Sequence, residues 1–90
     1  MDRVFRYYDA ELGKNTHECI LDSDEYKLMI GSVIYDNYVK NLNCTKQQKA
    51  ILKESIGEVF YEFDVDGRIL EDYRDDIDSY LFKHKLYEEI

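Results

Sequence analysis

His17, Glu18 and Cys19 set three metal-binding donors side by side. Adjacent residues do not easily turn all three donors onto one ion. No Cys-x-x-Cys or His-x-x-x-His pair supplies the further ligands that a zinc site needs. His84 is the one other histidine, and its place in an apolar arc marks it as a core-edge side chain. Ser23, Ser32, Ser55 and Ser79 offer hydroxyls, but no Gly-x-Ser-x-Gly turn presents one as a nucleophile. No glycine-rich loop stands ready to cradle a phosphate. The expectation is a chain with no catalytic residues, no resident metal and no cofactor. Cys19 and Cys44 are too few for a disulfide framework, and read as small packing residues kept reduced.

One stretch resembles a calcium loop. With Gly67 at the sixth position of an EF-hand loop, Glu62 falls first, Asp64 third, Asp66 fifth and Ile69 at the apolar eighth. The resemblance stops where calcium needs it. Tyr73 takes the twelfth position, where a bidentate carboxylate belongs, and Leu70 the ninth. The stretch reads instead as a solvated Asp-Gly turn, with Gly67 supplying an unusual φ.

The carboxylates carry the strongest signal. The chain has 90 residues, with Lys+Arg 12, Asp+Glu 20 and a net charge of −8. Ten acids stand between residues 54 and 78: Glu54, Glu58, Glu62, Asp64, Asp66, Glu71, Asp72, Asp75, Asp76 and Asp78. Only Arg68 and Arg74 oppose them, so this window holds the whole net charge. Glu54, Glu58 and Glu62 recur every fourth residue, opposite an apolar stripe of Leu52, Ile56 and Phe63. Glu71, Asp75 and Asp78 repeat the pattern, as do Asp72 and Asp76. Like charges at this spacing cost a helix a few tenths of a kcal/mol each, so stability alone does not select it. Carboxylates four residues apart sit about 6 Å apart along a helix. A nucleic-acid strand carries a phosphate every ~3.4 Å of duplex axis, a density that two neighbouring rows approach. An acidic chain of this kind is not itself a binder of nucleic acid or of anionic membranes, both of which need a basic surface.

The elements that must position these acids read as helices. Proline is absent, which favours helix. Asp22, Ser23, Asp24 and Glu25 place acids at a helix start. That helix runs to about residue 42. Tyr26, Met29, Ile30, Val33 and Ile34 form one apolar side, while Leu28, Tyr35, Val39 and Leu42 extend it, so this is the central helix. Thr45 and Gln48 make a capping box for a second helix over about 46–63, with Leu52, Ile56, Val59, Phe60 and Phe63 as its stripe. The short link between them implies an antiparallel pair. Gly31 and Gly57 lie almost symmetrically about that link, spacing that fits a close backbone approach, although Gly57 falls at the margin of the stripe. A third helix is expected over about 69–88, from the arc of Ile69, Leu70, Tyr73, Ile77, Tyr80, Leu81 and Tyr87. A β-hairpin through Asp66 and Gly67 is the competing reading.

Residues Asp2 to Leu12 place Val4, Phe5, Tyr8 and Leu12 at helical spacing, capped by Asp2 and ended by Gly13. A strand is the runner-up. Lys14 to Leu21 reads as a loop or short extended piece. The expected fold is all-α: one acidic domain over 1–90, three main helices and a short N-terminal helix or strand. The alternative is α+β with an N-terminal hairpin.

Phe82, Leu86 and Ile90 follow at i, i+4 and i+8 on another side of the last helix, an apolar ridge that folds back on the N-terminal segment or meets another chain. No run of about 18 apolar residues spans a membrane, and Asp2, Arg3, Arg6 and Asp9 interrupt any signal peptide, so a cytoplasmic location is expected. In composition alone, being small, acidic, tyrosine-rich and proline-free, the chain resembles phage or mobile-element proteins that bind and inhibit host enzymes. The expected function is a non-enzymatic interaction protein that inhibits a basic-surfaced partner, such as a nucleic-acid enzyme, by charge mimicry. The alternative is a homo-oligomeric or adaptor module, a homodimer among its forms, using Phe82, Leu86 and Ile90.

Overall fold

A computed structural model describes residues 2–63 and 67–90. Of these, 58% are helical and 20% lie in strands, and the strands form one three-stranded antiparallel sheet. The fold is α+β. The all-α expectation is corrected, and the alternative with an N-terminal hairpin is the one that matches.

The N-terminal helix is replaced by strand β1 (Arg3–Asp9), paired with strand β2 (Lys14–Leu21) from Arg3 opposite Leu21 to Asp9 opposite Lys14. The helical spacing misled because the strand divides those residues between its two faces. Phe5 is buried and Tyr7 half-buried, while Val4, Arg6 and Tyr8 face outward. Val4, Tyr8 and Leu12, three of the four residues of the expected helical face, are 47%, 60% and 63% exposed. Aromatic and β-branched side chains suit a pleated, half-buried surface. Asp9 closes the turn. Its carboxylate accepts from the amides of Glu11 at 2.9 Å and Leu12 at 3.3 Å, and its carbonyl from that of Gly13 at 2.7 Å. Gly13 takes a φ of +68° there, a left-handed turn position rather than the end of a helix.

Helix α1 (Ser23–Ile34) starts as its acids predict. Asp22 accepts from the Glu25 amide at 2.8 Å, and Glu25 accepts from the Asp22 amide at 3.1 Å. Tyr26, Met29, Ile30, Val33 and Ile34 are all buried, and the sheet, the second helix and the last long helix pack around them. The α-helix does not reach residue 42. It continues as a π-helical turn, Tyr35–Val39. The Asn37 side chain donates to the Val33 carbonyl at 2.8 Å, supplying a hydrogen bond where the wider turn breaks the α-helical ladder.

Helix α2 (Lys46–Phe63) opens with the expected reciprocal cap between Thr45 and Gln48, at 2.9 and 3.1 Å. It runs antiparallel to α1: Tyr35 lies beside Lys49 and Lys53, and Tyr26 beside Tyr61. The two glycines set the contact. A β-carbon on Gly31 would overlap the carbonyl of Lys53 and come within 3.3 Å of the Gly57 amide nitrogen. One on Gly57 would overlap the carbonyl of Lys27. Backbone therefore meets backbone, and Gly57 is the only buried residue of α2.

The expected helix over 69–88 is broken twice. Helices α3 (Arg68–Asp72) and α4 (Arg74–Lys83) are separated at Tyr73, whose φ of −116° and ψ of 25° leave the helical region. Gly67, at φ +66°, leads into α3 in the left-handed conformation expected of it. After α4 the Leu86 amide donates to the Leu81 carbonyl at 2.9 Å, and the Lys85 amide to that of Phe82 at 3.1 Å. This is a Schellman stop with a lysine, φ 57°, in the position that usually holds glycine. The chain then extends, and strand β3 (Glu88–Glu89) pairs with Glu18 and His17 of β2. The sheet order is β1-β2-β3. The core gathers Phe5, Cys19 and Leu21 from the sheet, the buried side of α1, and Ile69, Ile77, Leu81 and Tyr87.

Candidate functional site

The acids expected to form a docking surface fall into groups set by their helices. Glu54 and Glu58 face a shallow cleft shared with Asp24, Lys27 and Leu28 of α1. Glu58 accepts an ion pair from Lys27 at 3.3 Å, with 57% of its own side chain exposed, an arrangement worth under about 1 kcal/mol. Glu62 is exposed one turn further on. Glu71, Asp72, Asp75 and Asp76 are exposed on α3 and α4. Asp76 reaches the π-helical turn, accepting from Asn37 at 3.4 Å. Asp78 turns inward instead: it pairs with Arg74 at 3.4 Å and accepts from the Tyr87 hydroxyl at 2.6 Å. Asp64 and Asp66 lie outside the described residues, and so does the part of the calcium-loop alignment that rests on them.

Among the described acids of this window only Glu58 and Asp78 have an ion-pair partner. Glu54, Glu62, Glu71, Asp72, Asp75 and Asp76 are exposed and have no ion-pair partner among the described residues.

The helical premise of the C-terminal ridge fails, because the helix ends before Leu86. Phe82 packs into a ring cluster with Tyr7 and His17, at centroid distances of 5.1 Å each, and with Tyr87 at 4.7 Å. Leu86 is half-buried against the core. Ile90 stays 71% exposed while its amide donates to the Thr16 carbonyl at 2.9 Å. The three residues therefore fold back on the N-terminal hairpin: Leu86 and Ile90 line one cleft with Glu18, Cys19 and Ile20 of β2, while Phe82 belongs to the ring cluster.

A different apolar surface takes shape on α2. The row Lys53, Gly57 and Tyr61 faces α1, because the glycine must meet backbone. That rotation carries the stripe of Leu52, Ile56, Val59, Phe60 and Phe63 onto the flank. Leu52 and Ile56 are half-buried, whereas Val59 is 53% and Phe63 76% exposed. At the C-terminal end of the stripe a groove of about 440 Å³ is lined by Tyr38, Phe60, Phe63 and Tyr73, with Arg68 and Asp72 as its charged members. The Tyr73 hydroxyl donates to that of Tyr38, which spans the groove from the α3–α4 junction to the π-helical turn. The sequence carried one signal for this arrangement: the symmetric glycines.

A more polar cleft of about 340 Å³ lies between the π-helical turn and α4, lined by Asp36, Asp76, Lys53, Lys83 and His84 among others. The triplet of potential metal donors is split by strand alternation. Cys19 is buried and His17 joins the ring cluster, while Glu18 points outward to Arg6 at 3.0 Å. Among the described residues no group of three or more His, Cys, Asp or Glu is placed to hold a metal ion, and no helix is long and apolar enough to cross a membrane. Cys19 and Cys44 are free thiols. Compared with protein-family models, curated proteins and solved structures, the chain matches none of them.

Proposed function

We propose that this chain is a non-enzymatic interaction protein that binds a basic-surfaced protein through its acidic window, with a nucleic-acid enzyme as the target class. The supporting observation is the exposure of Glu54, Glu62, Glu71, Asp72, Asp75 and Asp76 with no cation of the described residues within ion-pair distance. A structural role would draw lysines or arginines to these positions. A partner supplies that neutralisation instead, and its basic channel is blocked to nucleic acid while the complex lasts. Charge of one sign over one region speeds encounter and rejects acidic competitors.

The experiment is retention of lysate proteins on the immobilised chain, washed at rising salt. Partners should be retained at low salt and released steeply as salt rises. Duplex DNA should compete for the same partner. Glu62→Lys combined with Asp75→Lys should weaken retention without unfolding the chain, since neither residue is in an ion pair. Retention indifferent to salt and to both substitutions rejects the reading.

A further inference from the structure

We infer that the flank of α2 from Leu52 to Phe63 is a docking surface for an amphipathic helix with a basic rim, presented by the partner. This rests on the interaction reading above and names the form of contact. The surface exists because of the glycines. Had α2 turned its stripe to α1, Val59 and Phe63 would be buried. The overlap that any β-carbon at Gly57 would make with the Lys27 carbonyl shows which side is committed to α1. The stripe is left half-open to solvent, with Phe63 76% exposed.

Its dimensions suit a helix. Leu52 to Phe63 spans about three turns, or ~17 Å, the length over which a docked helix places anchors at i, i+3, i+4 and i+7. The groove of about 440 Å³ at its end accepts a large apolar anchor of the kind that dominates such interfaces. Tyr38, 72% exposed, forms its other wall.

Charge selects the occupant. Asp72 lines the groove, and Glu62, the residue before Phe63, is exposed at the same end of α2; Arg68 is the one cation in that lining. A second copy of the chain would bring its own −8 against these acids. A helix with lysine or arginine beside its apolar face meets both features: its apolar side covers Val59 and Phe63, and its rim reaches the carboxylates.

The test uses the full chain and two synthetic peptides of equal length and charge. One has leucine and lysine at amphipathic helical spacing. The other has the same composition scrambled to remove the apolar face. The amphipathic peptide should bind about tenfold more tightly or better. Backbone amide shifts should concentrate on residues 52–63 and Tyr38. Phe63→Ser with Val59→Ser should remove that preference while leaving the melting temperature nearly unchanged, since both side chains are exposed. Equal binding of the two peptides, with shifts spread over Glu71, Asp75 and Asp76, overturns the helix groove and leaves the charge reading standing. Binding of neither peptide at low salt overturns both. Concentration-dependent dimers in sedimentation that Phe63→Ser dissolves would assign the surface to a second copy and overturn the basic helix.

Discussion

Gly31 and Gly57 stand opposite each other where α1 and α2 touch, close enough that a β-carbon on the first would lie 3.3 Å from the amide nitrogen of the second. No side chain mediates this crossing. Each glycine is held by the partner helix's main chain, so neither site has a flexible neighbour that can move aside.

Gly57→Ala should therefore destabilise the protein. Alanine favours the helix by about 1 kcal/mol, but its methyl group overlaps the Lys27 carbonyl, and overpacking of this kind costs about 1–3 kcal/mol or more where backbone must move. A net loss of about 2 kcal/mol is expected in denaturant unfolding. A stabilised variant would show that the helices are further apart than described.

Truncations should separate core from flank. Ile30 is 1% exposed, so Ile30→Ala should cost about 2–5 kcal/mol. Ile56 is half-buried on the α2 flank, and Ile56→Ala should cost about 1–2 kcal/mol, since less apolar area returns to water. Chemical denaturation of the two variants side by side is the measurement. An equal loss at both sites would place the whole stripe in the core.

Lys85 occupies the left-handed position of the stop after α4 at φ 57°. A side chain there costs on the order of 1 kcal/mol relative to glycine. Lys85→Gly should raise stability by about that amount, read as a higher denaturation midpoint with an unchanged slope.

Tyr87 gives an alkaline signature. Burial pushes its phenol above the ordinary value, and the hydrogen bond to Asp78 pushes the same way. The unfolded chain loses this proton near pH 10 while the folded chain keeps it. The contribution of Tyr87 to stability is thus whole below about pH 10 and is lost as pH rises beyond it. Denaturation midpoints should fall above pH 10, and Tyr87→Phe should flatten that decline while lowering stability at neutral pH. A wild-type midpoint that stays level above pH 10 would contradict the buried hydrogen bond.

The central helix, both N-terminal caps and the glycine approach were legible in the sequence because each is local or tied to one short link. Asp22 with Glu25, and Thr45 with Gln48, satisfy backbone amides within a single turn. The N-terminal strands were obscured because Val4, Phe5 and Tyr8 share a helical face, whereas the strand puts Phe5 inside and Val4 and Tyr8 outside, an arrangement that follows from pairing with β2. The break at Tyr73 and the stop at Lys85 carry no glycine or proline to announce them; Tyr73 itself packs on the core at the first, and Leu86 and Tyr87 pack on it just after the second. The apolar flank of α2 was visible as a stripe. Its exposure follows from which side Gly57 commits to α1, and a helical wheel does not contain that choice.

The pairing of His17 with Glu89 joins positions separated by nearly the whole chain. The hairpins β1–β2 and α1–α2 need only short loops to close, so their contacts can form within the first moments of folding. The third strand must wait until α1, α3 and α4 have brought the two ends together, because closing so long a loop costs entropy before any contact repays it. Substitutions in β3 should accordingly change the unfolding rate more than the folding rate. The same late closure makes β3 the first part of the sheet to open under native conditions, a local release that hydrogen exchange at the Ile90 amide, which donates to the Thr16 carbonyl, would time.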